Sequence, residues 1–473
     1  MTTVGKKPGD DSRDFVTDRR QKRILILIAS CYAVFLVYGS LLPMDFHHVS
    51  WHTLWDVLSR PSSYQIWLGS RSDLAANILL YVPASFLWLG VNEYFTGGRR
   101  LWVRLMVFIC LVLLSFLIET CQIFLPYRSF DIRDVLCNAG GAVVGIVAWE
   151  LRGVRIMHRV FSLQNQFGYN SVARDVLLFY LGVLAFYQLM PLDLTLSPVE
   201  IYRDMRTGGL ILIPFAAGHS SWLLGAHDFS VEFFIWMIVG MLWLFSSRRS
   251  ALRLWFYAIL FAFVLEGLQL FVHSRVSDIT DVLSAMAGSG VGIRVGVSLI
   301  QRFPIIASRE DRRYRRAWVL LGMAAFCLWF AIIIWYYWFP FNFNFSPEYL
   351  AQRTGDLPTL PFWSHFRSNE FNALADILRT VLFYAPLGSV LGFVAASFDK
   401  PRLRRYSVEA ATVFLLICAF IVEMGQFFLP GRYPDLTDIV FSVGAGLTGY
   451  WIIFTIQSRY QQQMQSTHPV EAD

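Results

Sequence analysis

A pattern of five polar residues, E-x2-Q-x5-R-x2-D-x2-D, occurs three times without a gap in this 473-residue chain. An Arg can bind a phosphate group through two parallel hydrogen bonds, and carboxylates can hold a divalent cation through their oxygen atoms. A Glu near a lipid head group can also act as a general base. No nucleophilic Ser or Cys recurs across the copies, so we assign no catalytic residue. The pattern residues are Glu119, Gln122, Arg128, Asp131 and Asp134; Glu266, Gln269, Arg275, Asp278 and Asp281; and Glu423, Gln426, Arg432, Asp435 and Asp438.

The same residues can also be purely structural. The Glu and the Gln are three residues apart and share a helix face, and the two Asp begin the next helix, where a carboxylate can cap backbone N–H groups. Arg128 would then pair with Glu119, and Asp134 would cap its helix, so that the network locks a tight helical hairpin. A structural corner is needed in every copy, whereas a catalytic site is not. Both interpretations stay open on the sequence alone.

Apolar runs of about 20 residues, each long enough to cross roughly 30 Å of hydrocarbon, dominate the chain. Residues AVILMFWYC make up 56% of it, and only 16% are charged, against about 25% charged in soluble domains. The sequence therefore predicts an all-α polytopic membrane protein rather than a soluble domain. The twelve predicted spans are 24–42, 74–94, 101–122, 132–151, 174–191, 228–246, 252–272, 279–300, 317–339, 374–397, 406–428 and 436–456.

The Lys and Arg residues indicate which ends of the spans face the cytoplasm. With the N-terminus placed there, 28 of the 40 Lys and Arg lie in inner segments and 10 in outer ones. Because cytoplasmic loops carry an excess of positive charge, we predict that both termini are cytoplasmic. The net charge of +6 then calls for no nucleic-acid partner, since the basic residues lie in short loops beside apolar runs. Contact with anionic lipid head groups is the alternative role of these loops.

The motif belongs to a longer repeat of four spans. Pro43, Pro191 and Pro340 each end the first span of a copy, and a Ser follows six or seven residues later. In two copies this Ser precedes a Pro, which is typical of a helix start, and the next residues fit a short amphipathic helix on the outer membrane surface. Because four is even, all three copies share one orientation. The predicted domains are a basic tail at 1–23, repeats at 24–155, 172–303 and 315–457, and a polar tail at 458–473.

The first repeat resembles the VanZ-like family. The pattern of that family joins a helix with Asn and Pro to an E-x2-Q helix end, an Arg-containing turn and a D-x2-D-x3-N-x2-G helix start. Repeat two departs from it with Glu232, Ile238 and Ala285, and repeat three with Thr380 and Ser442. The matching residues of repeat one are Asn77, Pro83, Glu119, Gln122, Arg128, Asp131, Asp134, Asn138 and Gly141.

The resemblance covers about residues 40–450 and implies a bacterial cell-envelope role connected with low-level resistance to the glycopeptide teicoplanin. We therefore predict a multi-pass protein of the bacterial inner membrane, whose clusters bind or move an envelope lipid or a lipid-linked sugar phosphate. Membrane lipids and a polyprenyl-linked envelope precursor are the expected partners. One alternative is an enzyme that modifies such a lipid at the outer face. The other is a scaffold of an envelope-assembly complex, whose clusters are paired internally.

The predicted substrate-binding residues are the fifteen pattern residues together with Asn77 and Asn138. No cofactor is predicted, and a divalent cation that bridges the acids to a phosphate is the alternative. Arg379 and Glu232 lie one turn inside the outer ends of their spans. Each either reaches the head groups or pairs across helices, and both are possible members of the binding site.

Two smaller groups of residues have alternative interpretations. His47, His48 and His52 form either a metal site or a set of ordinary loop histidines. Cys121 and Cys137 lie near the same outer helix ends, where a disulfide is an alternative to two thiols that act as small apolar groups.

Overall fold

A computed structural model describes residues 19–41, 44–59, 71–96, 101–125, 130–157, 169–195, 197–216, 222–247, 249–302, 312–355, 370–398, 401–432 and 434–467. These residues are mostly helical and divide into two compact units, Met1–Asn165 and Gln166–Asp473. The first compact unit holds repeat one, and the second holds repeats two and three. The limits predicted for the repeats and the tails stay predictions.

Within its described residues, repeat one has four long helices and one short helix. Pro83 lies inside its second long helix, where side chains, neighbouring helices or local adjustment can satisfy the backbone groups that a proline frees within a membrane. The long helices are Arg19–Leu41, Arg71–Thr96, Leu101–Gln122 and Ile132–Ala148, the last continued by a π-helical turn at Trp149–Gly153, and the short helix is Trp51–Ser59.

Repeat two has the same order of helices. Its short helix ends in a π-helical turn, Met205–Gly209, and Gly208 has a positive φ of 107° inside this turn. Two-residue strands, Leu210–Ile211 and Ser277–Asp278, then pair in parallel and join this turn to the start of the fourth helix. The long helices are Tyr169–Leu189, Trp222–Ser246, Ala251–Gln269 and Ile279–Arg302, and the short helix is Pro198–Asp204.

Repeat three adds one element, a helix at Pro401–Arg405 that precedes its third long helix. Pro386 lies inside the second long helix, as Pro83 does in repeat one. The long helices are Arg312–Trp338, Glu370–Ala396, Ser407–Phe427 and Leu436–Thr467, and the short helix is Pro347–Gly355.

Eleven helices of the described residues are long and apolar enough to cross a membrane. Each coincides with one of the twelve predicted spans. The remaining prediction, 174–191, lies on the helix Tyr169–Leu189, which is not among the eleven. The prediction of an all-α polytopic membrane protein is confirmed.

The fourth long helix packs closely against the second within every repeat. A Cβ atom added to glycines of the fourth helix would collide with backbone carbonyl groups of the second helix, so only glycine permits this approach. Small residues allow membrane helices to come close in this way. The colliding pairs are Gly141 with Ile78, Gly145 with Val82, Gly288 with Phe233, Gly292 with Met237, and Gly449 with Ala385.

The chain turns in the same way after the first long helix of each repeat. Met44, Leu192 and Phe341 each follow the proline that ends this helix, and their φ angles are 62°, 60° and 64°. Such positive φ values are uncommon for residues other than glycine. Their recurrence at one position shows that the repeat extends to the backbone.

Three equivalent hydrogen bonds close this turn onto the end of the third helix. In each repeat, the fourth residue after the proline donates its backbone N–H to the carbonyl of the second residue after the motif Gln. We call this end of each repeat the hairpin end. It includes the turn after the proline, the short helix, and the turn between the third and fourth long helices. The bonds join His47 to Phe124 at 2.9 Å, Thr195 to Phe271 at 2.8 Å and Asn344 to Phe428 at 2.8 Å.

The predicted Ser–Pro helix starts are confirmed. The Ser197 hydroxyl accepts the backbone N–H of Glu200 at 3.5 Å, and the Ser346 hydroxyl accepts that of Tyr349 at 3.4 Å. These bonds satisfy an N–H group that the first turn of a helix leaves without a partner. The short helices therefore begin where the sequence places them.

Candidate functional site

Each repeat contains the same hydrogen bond between the motif Glu and the first motif Asp. The Glu lies near the end of the third long helix and is buried, with 4% exposure for Glu119, 8% for Glu266 and 6% for Glu423. One of its carboxylate oxygens accepts the backbone N–H of the Asp twelve residues later, and we call this bond the Glu–Asp clamp. The clamps join Glu119 to Asp131 at 3.3 Å, Glu266 to Asp278 at 3.0 Å and Glu423 to Asp435 at 3.0 Å.

The side chain of the first Asp caps the fourth helix. Asp131 has an extended backbone, with φ −129° and ψ 114°, and its carboxylate accepts the N–H of Arg133 at 2.9 Å. The expectation that Asp134 caps the helix is wrong, because Asp131 already stands just before the helix and Asp134 lies inside its first turn. The equivalent caps run from Thr280 N–H to Asp278 and from Thr437 N–H to Asp435, each at 2.8 Å.

The second motif Asp contacts the second helix in repeat one. Asn77 Nδ2 donates to Asp134 Oδ1 at 2.7 Å, so two predicted site residues meet across the helices. Repeat two has Glu232 in place of the Asn, and the negative charges of Glu232 and Asp281 act on each other. The position equivalent to Asn77 is therefore one at which the repeats differ in charge.

The three motif arginines have different surroundings. Arg128 lies outside the described residues, so its pairing with Glu119 stays a prediction. Arg275 donates to two backbone carbonyls at the end of the first helix of repeat two, through Nε to Met190 and through Nη2 to Tyr187 at 3.1 Å. Arg432 is exposed. The motif Arg is thus used for backbone contacts in repeat two, whereas that of repeat three is exposed.

Arg133 is a charged partner in repeat one that lies outside the repeated pattern. Its Nε lies 3.0 Å and 2.9 Å from the two carboxylate oxygens of Asp131, and its Nη2 also donates to that carboxylate. Burial acts to raise the pKa of Asp131, but the hydrogen bonds and the positive charge of Arg133 outweigh it and hold this pKa below its ordinary value. The other repeats have Thr280 and Thr437 at this position, so a comparison of repeats does not reveal the pair.

The motif Gln of repeat two starts a chain of polar side chains. Gln269 Nε2 donates to Gln188 Oε1 at 3.0 Å, and Gln188 Nε2 donates to Glu232 Oε2 at 2.9 Å. Three helices are therefore linked. Of the two alternatives expected for Glu232, reaching the head groups or pairing across helices, the structure has the pairing. In the other repeats Gln122 donates to the Ser40 carbonyl at 3.0 Å and Gln426 donates to Glu423 Oε1 at 3.0 Å.

Repeat one also holds a buried polar cluster that the motif does not include. Asn138 Nδ2 donates to Ser115 Oγ at 2.9 Å. The Tyr81 hydroxyl interacts electrostatically with the Ser115 side chain and with Glu119, but it has hydrogen-bond geometry with neither. Asn138 is 6% exposed, Tyr81 3% and Ser115 0%. Among the described residues, neither the Asn138 carbonyl oxygen nor the Tyr81 hydroxyl has a hydrogen-bond partner. We call Tyr81, Ser115 and Asn138 the repeat-one polar cluster.

Sequence reasoning named Asn138 but missed the other two members of this cluster. Tyr81 lies four residues after Asn77, and Ser115 lies four residues before Glu119. Residues four apart share a helix face. A search for polar residues one turn from each motif position would therefore have found them.

The other repeats fill the same positions differently. Repeat two has Trp236, Ala262 and Ala285, all of which are buried in its hydrophobic core. Repeat three has Tyr384, Ala419 and Ser442, and the Tyr384 and Ser442 side chains interact. Within the described part of these two repeats, none of the six side chains has a buried polar atom without a partner. The unpartnered pair of polar atoms is therefore a property of repeat one.

The two smaller groups have ordinary surroundings. Within the described ranges, no group of three or more His, Cys, Asp or Glu side chains is arranged to hold a metal ion. His52 Nδ1 lies 3.4 Å from the Asp56 carboxylate, one helical turn away and in contact with solvent. Cys121 and Cys137 are both free thiols.

The comparison with protein families identifies the repeat. The sequence profile of the VanZ/LLP1 family matches residues 24–153, 177–300 and 326–457. No curated protein and no solved structure matches the chain significantly. The matches cover most of the chain and agree with the motif, the short helices and the Glu–Asp clamp of each repeat. This chain is a multi-pass integral membrane protein that belongs to the VanZ/LLP1 family, with three tandem copies of the family's unit.

Proposed function

We propose that this protein binds or moves an envelope lipid, or a lipid-linked sugar phosphate, in the inner membrane of a bacterium. Both termini face the cytoplasm and the hairpin ends face outward, as the Lys and Arg distribution indicates. Membrane lipids and a polyprenyl-linked precursor are the partners that suit this location. The family membership supports an envelope-related role.

The observation that carries the proposal is the pair of unpartnered atoms in the repeat-one polar cluster. A buried polar group without a partner costs roughly 1–3 kcal/mol, and here a donor, the Tyr81 hydroxyl, lies in the same cluster as an acceptor, the Asn138 carbonyl. A hydroxyl or amide group of a bound head group would satisfy both. The equivalent positions of repeats two and three, which the structure describes, carry no such pair, so the cluster of repeat one is the proposed ligand site.

Acidic and basic groups near this cluster favour a polar ligand over a hydrocarbon chain. Glu119 is buried beside Tyr81, and Asp134 is held by Asn77. Arg133 is only 26% exposed and is occupied by Asp131. Polar and ionisable residues inside a membrane are costly and mark functional sites by default. The cluster is therefore suited to a head group that offers hydroxyl or amide hydrogen bonds.

The experiment follows the lipids that remain bound to the protein purified in bilayer discs with lipid extract from its source. Mass spectrometry compares the wild type with Tyr81→Phe and Asn138→Ala. The matched controls are Tyr384→Phe and Ser442→Ala at the equivalent positions of repeat three. We expect a specific lipid to be retained by the wild type and the controls and to be lost by both repeat-one variants.

The remaining outcomes decide between the alternatives. Equal lipid retention in all five proteins would contradict the proposal, because the cluster would then hold only a buried water. A new lipid mass that forms in the wild type and disappears in the repeat-one variants would establish an enzyme instead.

A scaffold role is the second candidate, and the Glu–Asp clamp favours it. The clamp and the helix cap occur in all three repeats and use one carboxylate oxygen of the Glu and the carboxylate of the first Asp for internal hydrogen bonds. These two residues are accounted for by a structural role. The scaffold would be the better description if no lipid were specifically retained and partner proteins were recovered at a fixed stoichiometry.

A further inference from the structure

We propose that Arg379 and Arg432 form a binding site for a phosphate group at the hairpin end of repeat three. The site lies beside Tyr187 and Tyr336, near the ends of the first helices of repeats two and three. It goes beyond the proposed function, because it adds a second head-group site in other repeats and names the chemistry of its ligand. It rests on that function only for the outward orientation of the hairpin end.

Arg379 lies between two aromatic rings with part of its hydrogen-bonding capacity unused. Its guanidinium carbon is 5.5 Å from the ring centroids of both Tyr187 and Tyr336, an attractive cation–π distance. Nη1 donates to the Asp376 carboxylate at 2.8 Å, and Nε lies 3.4 Å from the Tyr187 hydroxyl oxygen. A guanidinium has five N–H donors, so donors remain that no described residue uses.

Arg432 brings a second positive charge to the same hairpin end, where its backbone N–H donates to the Leu429 carbonyl at 3.3 Å. Its side chain is exposed, and both it and Arg379 interact electrostatically with Tyr336. No hydrogen bond or ion pair joins the Arg432 guanidinium to a residue that the structure describes. Its counterpart Arg275 is instead held by two backbone carbonyls. The motif Arg of repeat three is therefore available to a ligand.

The carboxylates three residues from each arginine do not fully occupy the two guanidinium groups. Asp376 is the carboxylate that pairs with Arg379, and it is 48% exposed. Asp435 is three residues from Arg432, but its carboxylate is buried and caps the fourth helix. A phosphate offers several oxygens to guanidinium groups and forms strong charge-assisted hydrogen bonds with them. Partial exclusion of water, with Arg379 only 22% exposed, strengthens such a contact.

Helix packing alone does not require an Arg at the position of Arg379. The equivalent residues of repeats one and two are Ala76 and Val231, which are each 7% exposed. Helix packing at this position therefore works with a small or branched apolar side chain. An Arg inside a predicted membrane span is energetically costly, and such residues mark functional sites by default.

The test measures binding of a fluorescent phosphatidic acid, and of a diacylglycerol with the same chains, to the full-length protein in phosphatidylcholine discs. We expect the wild type to prefer the phosphate-bearing lipid. Arg379→Gln should weaken its binding about tenfold, since a hydrogen bond to a charged group is lost. Arg432→Gln should weaken it by a smaller factor, because exposed charges interact less strongly. Arg316→Gln, an exposed Arg at the other end of the first helix of repeat three, is the matched control and should bind as the wild type does.

Asp376→Asn is the variant that a general loss of folding cannot imitate. It releases Arg379 from its ion pair and should tighten binding of the phosphatidic acid severalfold. Competition by inorganic phosphate would indicate that the phosphate alone is recognised, and its absence would indicate a lipid-borne phosphate; both outcomes support the site. Unchanged binding in the Arg379→Gln, Arg432→Gln double variant would overturn it. Tyr81→Phe and Asn138→Ala leave this site intact. Loss of lipid retention in those variants tests the proposed function, and loss of phosphatidic acid binding in the arginine variants tests this site, so either proposal can fail without the other.

Discussion

The backbone N–H of Asp435 donates to the buried carboxylate of Glu423 at 3.0 Å, although the two residues belong to different helices. The same bond recurs in the other two repeats. A feature that every copy keeps is needed by every copy, so the clamp accounts for the repeated Glu and first Asp as parts of the hairpin. The differences between the repeats lie one helical turn deeper, at Tyr81, Ser115 and Asn138 and their equivalents, and these carry the binding proposal.

Removing the clamp should destabilise the hairpin. Glu423→Ala leaves the buried N–H of Asp435 without an acceptor, which costs about 1–3 kcal/mol. Glu423→Gln keeps an acceptor oxygen and should cost less. Thermal unfolding of both variants in detergent or discs checks this expectation. Equal stability of the wild type and Glu423→Ala would show that the bond contributes nothing.

Because the second and fourth helices approach closely, substitution by alanine should destabilise the protein much more at one of two adjacent glycines than at the other. A Cβ atom at Gly141 would collide with the carbonyl of Ile78, whereas Gly140 has nothing within 4 Å of such an atom. Gly141→Ala should therefore destabilise the protein by about 1–3 kcal/mol, as overpacking does. Gly140→Ala is the matched control and should be tolerated. Similar losses at both positions would contradict this packing.

The periodic features of the fold follow from the sequence. The spans, the Ser–Pro helix starts and the three copies of the motif were predictable, because membrane thickness and helix capping act on residues close together in the chain. The partners of individual polar side chains were not. The cap falls on Asp131 rather than Asp134, and Gln188 accepts from Gln269, 81 residues away in the chain. Such contacts depend on how helices pack, and the spacing within one helix does not determine this.

The stability that Arg133 provides should depend on pH in one direction. The pairing holds the pKa of Asp131 below its unfolded value, which is about 3.9. It therefore contributes stability above that value and loses it as the pH falls through the lower folded pKa.

Unfolding temperatures of the wild type and Arg133→Gln, compared between pH 7 and pH 3, check this expectation. The difference in unfolding temperature between the two proteins should be largest near neutral pH and should decrease below about pH 4. Arg155→Gln, an exposed Arg in the same compact unit, is the control and should show no such change. A gap that widens at low pH would contradict the pairing.

The proposed orientation predicts which side of the membrane each end reaches. Thr354 lies exposed on the short helix of repeat three, and Arg402 lies exposed on the basic helix Pro401–Arg405, which precedes the third long helix. In a background with all six native cysteines replaced by alanine, Thr354→Cys should react with an impermeant thiol reagent added to intact cells. Arg402→Cys should react only after the cells are opened. The reverse pattern would invert the topology.

The central claim is that the repeat-one polar cluster, and not the equivalent positions of the other two repeats, binds the polar head of a lipid. The most direct measurement is an electron cryomicroscopy map of the protein in native-lipid particles, bound to an antibody fragment that adds mass. We predict continuous density that leads from the lipid phase to hydrogen-bonding distance of the Tyr81 hydroxyl and the Asn138 amide, with none at Trp236 or Tyr384. A single isolated peak beside Tyr81, or side chains closed upon each other, would show that a water or internal packing satisfies the cluster and would contradict the claim.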